Sequence, residues 1–150
     1  MRYNRPMNKS TELLSKLQKK GYKRTKNREA ILDIIYSYDK PISALDILSK
    51  LKEKGLEPNK TTVYRKLNFL MDEHLIHEIM IDSKTSYYER SDIKHHHHMI
   101  CMNCKSIEDF HAEPFLESSI QKTEEALAKK YRFKTLQHSF EFFGFCNKCN

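Results

Sequence analysis

The 150-residue chain is 39% hydrophobic and 31% charged, with three glycines and four prolines, so it holds one ordinary domain or two small ones and is neither collagen-like nor low-complexity. No apolar run approaches the ~20 residues of a membrane helix, and the polar, basic start lacks the apolar stretch of a signal peptide; a soluble, cytoplasmic protein with no membrane partner is expected. The net charge of +7 gathers in residues 1–28, where ten Lys or Arg face one Glu, a balance suited to a polyanion or an acidic surface.

Residues 1–9 read as a basic tail. A first helix spans about 11–20, with Leu13, Leu14 and Leu17 on one side and Gly21 as its stop. The second, about 26–38, places Ile31, Ile34, Ile35 and Tyr38 on one face, and Pro41 ends it. Ser43 is an N-cap with Asp46 at the capping-box distance, opening a third helix whose apolar face is Ala44, Ile47, Leu48 and Leu51 and which stops near Gly55. The fourth follows Pro58 and Asn59. It buries Val63, Leu67, Leu70 and Met71 and carries Thr61, Arg65 and Asn68 opposite, with Tyr64 at the boundary. Two strands, 75–81 and 87–90, flank a turn at 82–86. Helices followed by a short hairpin predict a winged helix-turn-helix. The basic lead-in and the Arg/Thr/Asn face favour DNA as its partner over a polar face that merely meets water.

From residue 94 the pattern changes: strands at 98–101 and 106–110, a helix at 114–131 and a strand at 133–145. Pro114 suits the first helical turn, and Leu116, Ile120, Leu127 and Tyr131 share a face. The fold class is therefore α+β: an N-terminal winged helix-turn-helix domain over residues 1–90, then a small α/β domain over 91–150. So small a unit calls for extra support, and zinc and dimerisation are the expected sources.

All four cysteines lie in that second domain, as Cys101-x-x-Cys104 and Cys146-x-x-Cys149. Paired C-x-x-C turns each offer two thiolates to one tetrahedral zinc, and disulfide or redox chemistry is the alternative. Just before the first pair stand four histidines, His95 to His98. On a strand, His96 and His98 face one way and His95 and His97 the other, so the run can serve two separate metal sites. Imidazole suits zinc, iron(II), nickel or copper, with carboxylates to complete the set.

In combination these pieces resemble the ferric uptake regulator family of metal-dependent bacterial repressors. The matching residues are Arg24-Thr25 with Arg28, Thr61-Thr62-Val63-Tyr64-Arg65, Leu67 to Phe69, Tyr88-Glu89, His95 to Cys104, and His138 eight residues before the closing cysteine pair. The resemblance covers residues 10–149 and implies a DNA-binding winged helix joined to a dimerisation domain. It also implies three metal sites. Cys101, Cys104, Cys146 and Cys149 match the structural zinc. His95, His97, Glu117 and His138 match an accessory site, with Glu117 requiring one extra residue after Phe110. His96, His98 and Glu89 match the regulatory site.

At the regulatory site the sequence departs from the family pattern. Iron and peroxide sensors take a further histidine two residues before the serine matching Ser43, and here that position is Pro41. Zinc uptake regulators instead use the strand after the recognition helix, where this chain has His77, and add a cysteine near Ser91, which it lacks. Asp109 matches an extra carboxylate of the iron and peroxide types. The expected regulatory set is thus His77, Glu89, His96 and His98, with Asp109 as a further donor that would move the site toward iron or manganese. Pro41-Ile42-Ser43-Ala44 and Leu75-Ile76-His77 also look like the zinc branch.

The resemblance thus implies a non-enzymatic, zinc-sensing repressor of metal-uptake genes that binds a palindromic operator as a metal-loaded homodimer, with one dimer or two per operator. An iron(II)- or peroxide-sensing repressor using Fe2+ or Mn2+ is the alternative reading. Lys23, Arg24, Lys26 and Arg28 are expected on phosphates, while Thr61, Tyr64 and Arg65 approach the groove. Two other classes are remote. A zinc hydrolase would need an H-E-x-x-H or similar signature, which is absent, and a metal buffer would not need a basic winged helix.

Overall fold

A computed structural model describes residues 9–81 and 85–150. The tail up to residue 8 and the turn residues 82–84 lie outside the described residues. The chain divides into two units, one ending at Ile93 and one spanning Lys94–Asn150.

The first unit contains α1 (Lys9–Lys19), α2 (Lys26–Tyr36), β1 (Ile42–Ser43), α3 (Ala44–Glu53), α4 (Lys60–Asp72), β2 (Ile76–Met80) and β3 (Ser86–Arg90). Its helices start where short polar side chains satisfy the first free N–H groups. Thr25 accepts from the Arg28 N–H, Ser43 from that of Asp46 and Asn59 from that of Thr62. Ser43 also donates to the Asp46 carboxylate at 2.6 Å. Gly21 and Gly55 follow α1 and α3 at φ +92° and +73°, a backbone region that side chains with a Cβ rarely adopt. The core gathers Leu14, Ile31, Leu32, Ile35, Ile47, Leu51, Val63, Leu67, Leu70, Ile76 and Tyr88. Replacing Asn59 by Ala should destabilise the unit by about 1 kcal/mol, the usual worth of an N-cap, measured as a shift in the denaturant midpoint at constant slope.

Three details differ from the sequence expectation. Helix α2 ends at Tyr36, because Ser37 bonds back to the Ile34 carbonyl at 2.7 Å. Tyr38 thereby leaves the buried stripe and carries the Lys50 ammonium 5.1 Å from its ring centre. The two-residue β1 pairs Ile42 with Tyr88 and Ser43 with Tyr87, giving an antiparallel sheet of order β1-β3-β2; so short a strand has no alternation to read. The units part at Ile93/Lys94, beyond the expected 90/91. Ser91 is tied to the first unit through the carbonyls of His74 (2.6 Å, from its hydroxyl) and Leu75 (3.2 Å, from its N–H), and Asp92 through Arg90 at 2.7 Å.

The second unit contains β4 (His97–Cys101), β5 (Ile107–Phe110), α5 (Pro114–Tyr131) and β6 (Glu141–Gly144). Strand β4 is central, antiparallel to β5 and parallel to β6. The expected 133–145 strand shrinks to β6, since β4 pairs only through His98–Cys101 on that edge. Arg132, at φ 52°, closes α5 in the left-handed conformation. Among the described residues, the buried apolar side chains of this unit are Ile100, Cys101 and Ile107, and α5 buries none. Phe115, Tyr131, Phe133, Leu136, Phe142, Phe143 and Phe145 are all more than half exposed. A unit with so thin an apolar interior needs another source of stability. Among the described residues, no helix is long and apolar enough to cross a membrane.

Candidate metal centres

Parallel pairing of β4 with β6 sets Cys101 opposite Gly144, so the turns leaving the two strands lie at one end of the sheet. Each turn is closed by its own backbone: the Lys105 N–H reaches the Cys101 carbonyl, and the Cys149 N–H that of Cys146, both at 2.9 Å. The four cysteines are free thiols whose sulfurs lie within 4.8 Å of one another. The Cys104 and Cys146 sulfurs are 3.7 Å apart, far beyond the ~2.05 Å of a disulfide. Two sulfurs held at ~2.3 Å by a tetrahedral ion would lie about 3.8 Å apart, so the set fits zinc. Backbone N–H groups of Cys146 and then Cys104 donate to the Cys101 sulfur and pull its pKa down to about 6. The Ser106 side chain and then its backbone lower that of Cys104. Cys149 moves the other way: a hydrogen bond with Asn103 lowers it, but Cys146 beside it, burial and the other two cysteines together push it up to about 11. The surroundings thus favour thiolate at Cys101 and Cys104, and a bound cation would supply the charge that makes Cys149 one.

The histidine run splits as its alternation predicts. His95 and His97 bring their ring centres within 4.7 Å of each other, and His96 and His98 within 4.8 Å. His95, His97, Glu117 and His138 place one donor atom each within a 4.8 Å cluster. Fully buried His97 meets Glu117 through Nε2 at 2.7 Å and stacks on Phe140 with ring centres 3.6 Å apart. The same carboxylate lies 3.6 Å from His95 Nε2 and 3.4 Å from His138 Nε2. The hydrogen bond from His97 holds the Glu117 carboxyl below the ordinary carboxylate range. Three imidazoles converging on one carboxylate form a mixed N/O set of the kind that zinc and other transition ions accept. Sequence reasoning missed two neighbours of this cluster, Phe140 and Glu124, the latter 3.0 Å from His138 Nδ1. The seven-residue spacing of Glu117 and Glu124, two helical turns, could have revealed Glu124.

On the other face of β4, His98 stands opposite Asp109 of β5. Asp109 Oδ1 lies 3.9 Å from His98 Nε2 and 4.0 Å from His96 Nε2. Those gaps are too long for hydrogen bonds and within the ~4 Å that two donors bound at about 2.0–2.2 Å to one ion can span. His96 donates through Nδ1 to the Lys94 carbonyl at 2.8 Å, which leaves Nε2 as its ligand atom. In the first unit, half-buried His77 and buried Glu89 are direct partners across β2 and β3 and so share one face of the hairpin.

The candidate DNA face lies on α4. Thr61, Tyr64, Arg65 and Asn68 are exposed, opposite buried Val63, Leu67 and Leu70. Lys23, Arg24 and Lys26 are exposed before and at the start of α2, with Arg24 paired to Glu29. Arg28, grouped with them by sequence, is buried. Its guanidinium sits 3.9 Å from the Phe69 ring centre and donates to the Lys23 carbonyl at 2.6 Å, bracing the segment that carries the exposed cations.

Residues 19–143 match the ferric uptake regulator family. A ferric uptake regulation protein of Campylobacter jejuni is 34% identical over 137 residues, covering 89% of this chain and 83% of its own. The ferric uptake regulator of Helicobacter pylori, a structure with three functional metal-binding sites, superposes with a TM-score of 0.77 at 29% identity, over 99% of this chain and 97% of that one. A zinc uptake regulator in complex with zinc and DNA gives a TM-score of 0.59 at 26% identity, with 93% of each chain covered.

Proposed function

Because the chain belongs to the ferric uptake regulator family and is thus a metal-responsive transcriptional regulator, we propose that it is a zinc-sensing repressor that binds a palindromic operator as a metal-loaded homodimer. The observation that carries the zinc reading is the cross-strand pair of His77 and Glu89. It offers an imidazole and a carboxylate on the DNA-reading unit, where Pro41 occupies the position at which iron sensors supply a histidine. With His96 and His98 from the second unit, the donors number four, the usual complement of zinc.

Bound zinc supplies charge and a fixed set of directions, without redox chemistry. The chain's own residues make that useful. His77 and Glu89 belong to the unit that reads DNA, and His96 and His98 to the unit that pairs the chains. A ligand set drawn from both narrows the interdomain angles the protein samples, so metal and operator binding favour one another by equal amounts. The exposed Phe115, Phe133, Phe142, Phe143 and Phe145 support dimerisation, since so many exposed aromatic rings in a unit with three buried apolar residues call for a second copy. Lys23, Arg24 and Lys26 meet phosphates in this reading, Thr61, Tyr64 and Arg65 approach base edges, and Arg28 acts through the segment it braces.

One observation favours a second reading. The Asp109 carboxylate lies as close to both regulatory imidazoles as a shared ligand would. A fifth donor moves preference toward iron(II) or manganese. A duplex selected from random sequence with zinc present, then titrated anaerobically with zinc, iron(II) and manganese, decides between them. Zinc should give the tightest operator binding; stronger activation by iron(II) would replace the zinc reading with the second.

The DNA contacts separate by type. Lys26→Ala should weaken operator and random duplexes equally and flatten the salt slope by about one unit. Arg65→Ala should cost roughly 1–3 kcal/mol more on operator than on random DNA. Fluorescence anisotropy at several salt concentrations measures both, and equal losses on the two duplexes would make Arg65 a phosphate contact.

A further inference from the structure

A histidine binds metal through one ring nitrogen only when the other carries the proton, and an acceptor for that proton decides which nitrogen is which. His138 has a carboxylate on each side. Its Nε2 faces Glu117 Oε2 at 3.4 Å, toward His95 and His97. Its Nδ1 faces Glu124 Oε1 at 3.0 Å, away from the cluster. Glu117 and Glu124 are two turns apart on α5, so one helix face grips both edges of the ring. The Glu124 side chain is 29% exposed and that of His138 27%, close to the 30% of Glu117.

We propose that Glu124 is a positioning residue that accepts the Nδ1 proton of His138 and fixes the tautomer whose Nε2 lone pair faces the accessory donors. The inference rests on the reading of His95, His97, Glu117 and His138 as a metal site. It extends that reading to a carboxylate outside the donor set. A negative charge on the far side of the ring also raises the electron density that Nε2 offers. His97 depends instead on packing, since its Nδ1 is buried without a hydrogen-bond partner and its ring lies flat on Phe140.

The test uses the full chain with 15N-labelled histidine, the four-thiolate zinc retained and weaker-bound metal removed, at a pH where imidazole is neutral. Long-range proton–nitrogen spectra should show His138 protonated at Nδ1 in the wild type. Glu124→Ala should shift it toward the Nε2–H form, and Glu124→Gln, whose carbonyl oxygen still accepts, should keep it. In chelator competition, Glu124→Ala should raise the Kd of one zinc equivalent by about 10–100-fold, with a smaller change for Glu124→Gln. An Nε2–H wild type, an unchanged tautomer in Glu124→Ala or an unchanged zinc affinity would each overturn the proposal. His97→Ala separates the two failures. If it loses one zinc equivalent while Glu124→Ala keeps full affinity, the positioning role alone falls. If it takes up as much zinc as the wild type, the accessory-site reading falls and takes the positioning role with it.

Discussion

Cys146→Ser should strip the structural zinc and unfold the second unit while the first keeps its own melting transition. Zinc binding in small peptides is worth on the order of 10–16 kcal/mol, and where no preformed site exists without the metal that energy counts as folding energy. The second unit has little else to draw on: its buried apolar residues among those described are Ile100, Cys101 and Ile107, and its helix buries none. The first unit holds the whole hydrophobic cluster that runs from Leu13 to Tyr88 and needs no thiolate. Calorimetry of the variant should therefore show one transition surviving and one lost, with dimer mass falling in sedimentation. Retained zinc and an unchanged dimer would show that three thiolates suffice.

His77→Ala should weaken operator binding at limiting zinc by roughly 5–150-fold, the usual 1–3 kcal/mol of coupling between two sites. Metal-free DNA binding, the four-thiolate zinc and the dimer should stay as they were, because His77 lies outside the thiolate set, the exposed face of α4 and the exposed phenylalanines of the second unit. Asp109→Ala should have a much smaller effect if four donors already satisfy zinc. An iron or peroxide sensor reverses the order, with Asp109 essential and His77 expendable. Measuring both variants with zinc and with iron(II) therefore ranks the two readings on one scale. Equal tolerance of both substitutions would place the regulatory donors elsewhere.

What could be read from sequence was what short-range chemistry decides. Ser43 and Asp46, Asn59 ahead of α4 and Pro114 at the start of α5 act within one helical turn, and those helices begin where expected. The cysteine pairs and alternating histidines were legible because a turn and a strand each fix side-chain direction over two or three residues. Features set by distant partners were not. Arg28 carries the charge of a phosphate contact but is buried against Phe69, 41 positions along. The 133–145 run has the composition of a long strand, yet only the part facing His98–Cys101 pairs with a neighbouring strand among the described residues. The part near His138 turns to α5 instead, where Glu117 and Glu124 hold the ring.

The parallel pairing of β4 with β6 has a consequence for the timing of synthesis. The first unit has all of its core once Tyr88 has been added, whereas the four-thiolate site waits for Cys149. At the usual 5–20 residues per second, about 60 further residues take roughly 3–12 s. For that interval, in the proposed homodimer, a growing chain carries its winged helix without a completed second unit to pair through. A lone unit gains nothing from the second half of a palindrome, because the avidity of two linked half-site contacts comes only with the dimer. On the proposed reading as a homodimeric repressor, newly made chains should therefore bind the operator weakly until β6 pairs with β4 and the thiolates close, a delay that needs no separate inhibitor.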